Sequence, residues 1–126
     1  REYFIQNDLF CEENVYFEDV LIRTKSLICA EKIAFCCHNL YYYRIRAGSI
    51  INSGYSDKKI DDLIHAFVST INWLKQKGIY AEYRQKLSDF AYISFNMQLR
   101  ILGKQFAEIV QNKIKNSLEL SELMEK

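Results

Sequence analysis

The chain has 126 residues, 49% of them hydrophobic and 26% charged, with a net charge of +1. That length supports one domain with a sizeable core, and a near-neutral balance excludes attachment to nucleic acid or an anionic membrane by bulk charge alone. No apolar run approaches the ~20 residues of a membrane span and no signal peptide is visible, so the expected location is cytoplasmic.

Residues 1–8 are predicted to form a helical end, followed by an extended piece from Leu9 to Phe17. A helix is expected from Glu18 to about Glu31. Its apolar stripe is Val20, Leu21, Leu27, Ile28 and Ala30, interrupted by Arg23 and Lys25. Residues 33–37 form a short apolar strand candidate. Asn39 turns the chain, and 40–46 alternate as a second strand with Tyr42, Arg44 and Arg46 on one face. The run "NSGYSDKK" is a turn with Ser56 or Asp57 as N-cap. Ile60, Leu63, Ile64, Phe67, Val68, Ile71 and Leu74 then keep helical spacing up to Gly78, a good C-terminal stop. A second long helix is expected from about Tyr80 to Leu102, broken at Gly103. A third carries Phe106, Ile109, Val110, Ile114 and Leu118. With no proline and only four glycines in the chain, these helices meet few breakers. The expected fold is therefore α+β and mostly α-helical: a two-stranded β remnant followed by an antiparallel three-helix extension.

The four cysteines, Cys11, Cys29, Cys36 and Cys37, have neither C-x-x-C nor metal spacing. They read as reduced thiols, with Cys29 and Cys36 in the core. His38 and His65 read as structural or exposed. No nucleophile triad or phosphate-cradling loop is present.

Charge is unevenly spread. Residues 1–20 hold six acids and one base, and residues 21–60 hold seven bases and two acids. Two short stretches concentrate this asymmetry. Glu18 and Asp19 follow Tyr16 and Phe17. Carboxylates in a first helical turn are favoured by the helix dipole, which explains them without any function. Aromatic neighbours can also desolvate a carboxylate and raise its proton affinity toward that of a base, with the second carboxylate orienting the first. In "YYYRIRAGS", Arg44 and Arg46 can fork onto phosphate oxygens, Gly48 permits close backbone approach, and Ser49 can donate to the same anion. An edge strand with a solvated cationic face would have the same residues. Base stacking on the tyrosines ranks below both, because the basic region is short and lies beside an acidic one.

Taken together, the two stretches resemble the C-terminal part of the bacterial family 2 glycosyltransferases with a GT-A catalytic domain. Phe10, Glu13, Tyr16, Glu18 and Asp19 fit that family's acidic motif. Leu40, Tyr41, Tyr43, Arg44, Arg46, Gly48, Ser49 and Ile50 fit its later motif, and Ile22 stands where the family usually has Phe. The resemblance covers roughly residues 1–52, taken as the end of the catalytic domain, with 53–126 as a helical extension. It implies inverting transfer of a sugar from a nucleotide-sugar donor to a glycan acceptor in bacterial surface polysaccharide synthesis. By position, Asp19 would be the base and Glu18 its support. Arg44 or Arg46, Gly48 and Ser49 would lie at the donor diphosphate. The resemblance also implies a nucleotide-binding half with an Asp-x-Asp motif and a divalent cation, Mg or Mn, upstream of Arg1. The chain opens on Arg rather than Met and reads as an excised fragment, expected to be folded and inactive alone, with no metal site or cofactor of its own. A peripheral membrane surface at the inner face, or a second copy, is the expected partner of the helices; nucleic acid is not. The rival expectation is a non-enzymatic helical interaction domain.

Overall fold

The computed structural model describes residues 1–42, 44 and 54–125. Among the described residues six α-helices follow in order: α1 (Glu2–Gln6), α2 (Glu18–Cys29), α3 (Asp57–Gln76), α4 (Tyr80–Leu102), α5 (Ala107–Asn116) and α6 (Leu118–Met124), with a 3-10 turn at Lys104–Phe106 before α5.

α3 is the centre. Its Ile60, Leu63, Ala66, Phe67, Ile71 and Leu74 are buried, spaced at three and four residues so that they share one face. α4 meets this face with Leu87, Ala91 and Phe95, α5 with Val110, and α6 with Leu120 and Leu123. Phe67 lies edge-on to Phe90, with ring centroids 5.4 Å apart, and 5.8 Å from Phe95. Aromatic pairs in such geometry add to the stabilisation from area alone. Val20 of α2 belongs to the same core.

Helix ends follow local chemistry. Gly78 has φ 72°, and Ile79 N–H donates to Leu74 O at 3.1 Å, so a glycine-based Schellman turn ends α3. Three residues later α4 runs back along α3. Gly103 (φ 103°) ends α4. Ser56 is the N-cap of α3, in extended conformation, but its side chain makes no cap hydrogen bond.

Three expectations are corrected. There is no strand among the described residues, so the α+β assignment with a two-stranded remnant gives way to an all-helical fold. Residues 31–42 are irregular and every one of them is exposed, with Phe35 and Tyr42 both at 94%. A strand exists only by pairing, and one isolated hairpin is marginal in water. The apolar run at 33–37 and the alternation at 40–42 supplied a pattern that no described residue completes as a ladder. The rest of the second strand, Tyr43, Ile45 and Arg46, lies outside the described residues. The third helix is also not continuous. It breaks at Ser117 into α5 and α6, which lets Val110 and Leu120 both reach the core. Finally, all four cysteines are free, but Cys36 is exposed and Cys29 is only half-buried.

Among the described residues, no helix is long and apolar enough to cross a membrane.

Candidate functional site

The acidic pair opens α2, at the end of a loop running from Leu9 to Phe17. Side chains far away in sequence hold that loop. Leu9 is buried at one end. Tyr16 N–H donates to Asp62 Oδ2 of α3 at 2.8 Å. Lys58 Nζ donates to the same oxygen at 2.6 Å and to Asn14 O at 2.9 Å. The Lys58 ammonium also lies 5.4 Å from the Tyr16 ring centroid. His65 Nε2 lies 2.7 Å from Glu12 Oε2. Three side chains on one face of α3, one turn apart or less, therefore fix three points of the loop.

The Asp62 side chain is 13% exposed. Burial pushes its carboxyl up. The hydrogen bonds from Lys58 and from the Tyr16 amide, with the Lys58 and His65 charges, outweigh burial and hold it below the ordinary carboxylate range. A depressed value means that the folded state favours the ionised form, the form that can accept both hydrogen bonds.

Immediately before the pair, Phe17 takes φ 61° and ψ 30° as N-cap of α2. A bulky residue in the left-handed region is strained, at a cost on the order of 1–3 kcal/mol, and persists only when surrounding contacts over-determine it. Phe17 packs against the core, and the neighbouring Tyr16 amide is tied to Asp62. Those two contacts set the direction in which the first turn of α2 leaves the loop.

Glu18 and Asp19 are both exposed. The Asp19 carboxylate lies 3.9 Å from Arg23, one turn on. Glu18 borders a cleft with Phe10, Tyr16, Phe17, Asp62 and His65, whose free volume of about 10 Å³ has room for roughly one water molecule. That cleft is a packing seam. Asp19, with its carboxylate 63% exposed, is open to a reactant arriving from solvent.

Arg44 is exposed, and among the described residues no hydrogen bond or ion pair joins it to Glu18 or Asp19. Arg46, Gly48 and Ser49 lie outside the described residues. The structure thus places the acidic half of the expected site and leaves the geometry of the cationic half unstated. The chain has no Asp-x-Asp sequence, and among the described residues no group of three His, Cys, Asp or Glu could hold a metal ion. The described residues supply no set of ligands for a divalent cation, and no chemical step is assigned through one.

Sequence reasoning missed Asp62, Lys58, His65 and Glu12 as loop fasteners. The i,i+4 spacing of Lys58 and Asp62 was visible as a local pair. Nothing local indicates that Asp62 also accepts from an amide 46 residues away. A larger apolar groove was also missed. About 260 Å³ in volume, it is lined by Leu27 and Ile28 of α2, Leu74 of α3 and Tyr83, Leu87 and Phe90 of α4, with Arg23 and Lys86 at its edges. The Arg23 guanidinium lies 5.0 Å from the Phe90 ring centroid.

No family model, no curated protein and no solved structure matches the chain.

Proposed function

We propose that this chain is the C-terminal part of an inverting glycosyltransferase that moves a sugar from a nucleotide-sugar to a glycan acceptor at the inner face of a bacterial membrane. The observation that carries the reading is the order of its two motifs: an acidic pair behind Tyr-Phe, then a helix, then the Arg-x-Arg-x-Gly-Ser run. In this reading Asp19 takes the proton from the acceptor hydroxyl and Glu18 supports it. Arg44 or Arg46, with Ser49, balances charge on the leaving diphosphate. Two features of the fold suit that chemistry. The Asp19 carboxylate is open to solvent, where an acceptor can reach it. The loop before it is tied to a rigid helix by Asp62, Lys58 and His65, as a base held to a fixed approach requires.

The test is a donor screen on the intact protein, with release of the nucleoside diphosphate as the readout, followed by Asp19→Asn. Asparagine keeps the shape and cannot accept the proton. Turnover should fall by ~10²–10⁴-fold with donor affinity nearly unchanged. Unchanged turnover in both Asp19→Asn and Glu18→Gln would reduce the pair to a helix start.

The all-helical fold of the described residues favours a second reading, a helical interaction domain without chemistry. Absence of nucleotide release from every donor, with the acidic pair silent to mutation, would decide for it.

A further inference from the structure

The outer face of α4 carries a second pattern, unrelated to the acidic pair. Tyr92, Ile93 and Met97 are 57%, 61% and 57% exposed, while Leu87, Ala91 and Phe95 of the same helix are buried. Together with Asn96 and Arg100 the three form a shallow hollow lined by α4 residues alone. Their spacing alternates between three residues and one, so they make one stripe along the helix.

The stripe is bounded by opposite charges. Asp89 lies one turn before Tyr92 and Ile93, exposed, with its carboxylate accepting from Gln85 Nε2 at 3.0 Å. Arg100 lies one turn after Asn96 and Met97, also exposed. A rise of 1.5 Å per residue separates the two charges by about 16 Å along the axis.

This arrangement is complementary to itself when reversed. Let a two-fold axis cross the helix between Ser94 and Phe95. Asp89 of each copy then faces Arg100 of the other, Tyr92 faces Met97, and Ile93 faces Asn96. Two of these pairings are favourable, opposite charges at both rims and a thioether against an aromatic ring inside them, while Ile93 against Asn96 adds contact without a matched polar partner. A parallel arrangement would set acid against acid and base against base. A membrane surface would want cations at both ends of the stripe, and Asp89 occupies one of them.

We propose that the outer face of α4 is a self-association surface on which a second copy of this chain packs antiparallel across a two-fold axis. One helix face is a small interface, so the dimer is weak and reversible, forming in the micromolar range or above. The proposal is independent of the catalytic reading.

The test is sedimentation equilibrium of the 126-residue chain, from micromolar to near-millimolar concentration. A monomer–dimer equilibrium is expected. Arg100→Asp and Asp89→Arg should each weaken it by roughly tenfold or more, because like charges then meet at both rims. The decisive measurement is the mixture of those two single variants. Each alone repels itself, but across the proposed axis every rim pair between them is attractive, so mixing should restore a dimer containing one copy of each. Met97→Asp should abolish association in all cases. All three positions are exposed, and far-ultraviolet circular dichroism should show the variants as folded as the parent. A chain that stays monomeric at near-millimolar concentration, single variants that stay monomeric when mixed, or a dimer indifferent to Met97→Asp would each overturn the proposal.

Discussion

Two irregular segments flank α2, and they are held very differently. Residues 9–17 have Leu9 in the core, Tyr16 N–H on Asp62, Asn14 O on Lys58 and Glu12 against His65. Residues 31–42 have apolar side chains in plenty, Ile33, Phe35 and Leu40 among them, and every residue is exposed. Composition does not separate the two. What separates them is whether a neighbouring helix presents groups at matching positions. α3 offers Lys58, Asp62 and His65 along one face toward the first segment. The acidic half of the proposed site therefore sits on a fastened loop, whereas the approach to the cationic half does not.

The largest test of this contrast removes the common support. Phe67→Ala in α3 should cost about 3–5 kcal/mol, from a fully buried ring lost with two aromatic neighbours. Amide exchange in residues 9–17 should accelerate sharply as α3 loosens, while residues 31–42, already exposed, should change little. Urea denaturation and hydrogen exchange measure both parts.

Asp62→Ala acts on the fastening itself. It leaves the Tyr16 amide and the Lys58 ammonium without their shared acceptor, at a cost of roughly 1–3 kcal/mol. The Tyr16 amide should lose protection while the core amides of α4 keep most of theirs. Equal loss everywhere would mean that the loop and the core open as one unit.

The same contact sets a pH dependence. The Asp62 carboxyl is held below its ordinary value in the folded chain, so the unfolded chain binds the proton more readily. The stabilisation is complete above the unfolded value and is lost as pH falls through the lowered folded one. Tyr16 protection should follow that acid limb, and Asp62→Asn should flatten it. A second network has two limbs. Hydrogen bonds from Tyr55 and Lys113 lower Asp57, while Asp61 and Asp57 raise Lys113. Its contribution should fade at acid pH as Asp57 is protonated and at strongly alkaline pH as Lys113 loses its proton.

The smallest effect is expected in the other segment. Ile33→Ser with Phe35→Ser should change stability by no more than about 0.5 kcal/mol, since neither side chain is buried. A loss of several times that value would show that these residues pack in solution.

Much of the helical part was legible because helix periodicity is local. Ile60, Leu63, Phe67, Ile71 and Leu74 announce one buried face, and Gly78 supplies the left-handed residue that ends α3. The position of Glu18 and Asp19 in the first turn of α2 was readable for the same reason: carboxylates suit free N–H groups there. Tertiary structure alone decided the remainder. Strand formation depends on a partner, so the apolar run at 33–37 could not show that none of the described residues would pair with it. The break at Ser117 depends on where Leu120 and Leu123 must lie to meet α3 and α4. The anchoring of Tyr16 rests on an oxygen of Asp62, 46 residues on, and the strained Phe17 beside it persists because that contact and the core hold it. A residue's own neighbours in sequence determine its helical preference, but only the packed chain determines which distant group satisfies its hydrogen bonds.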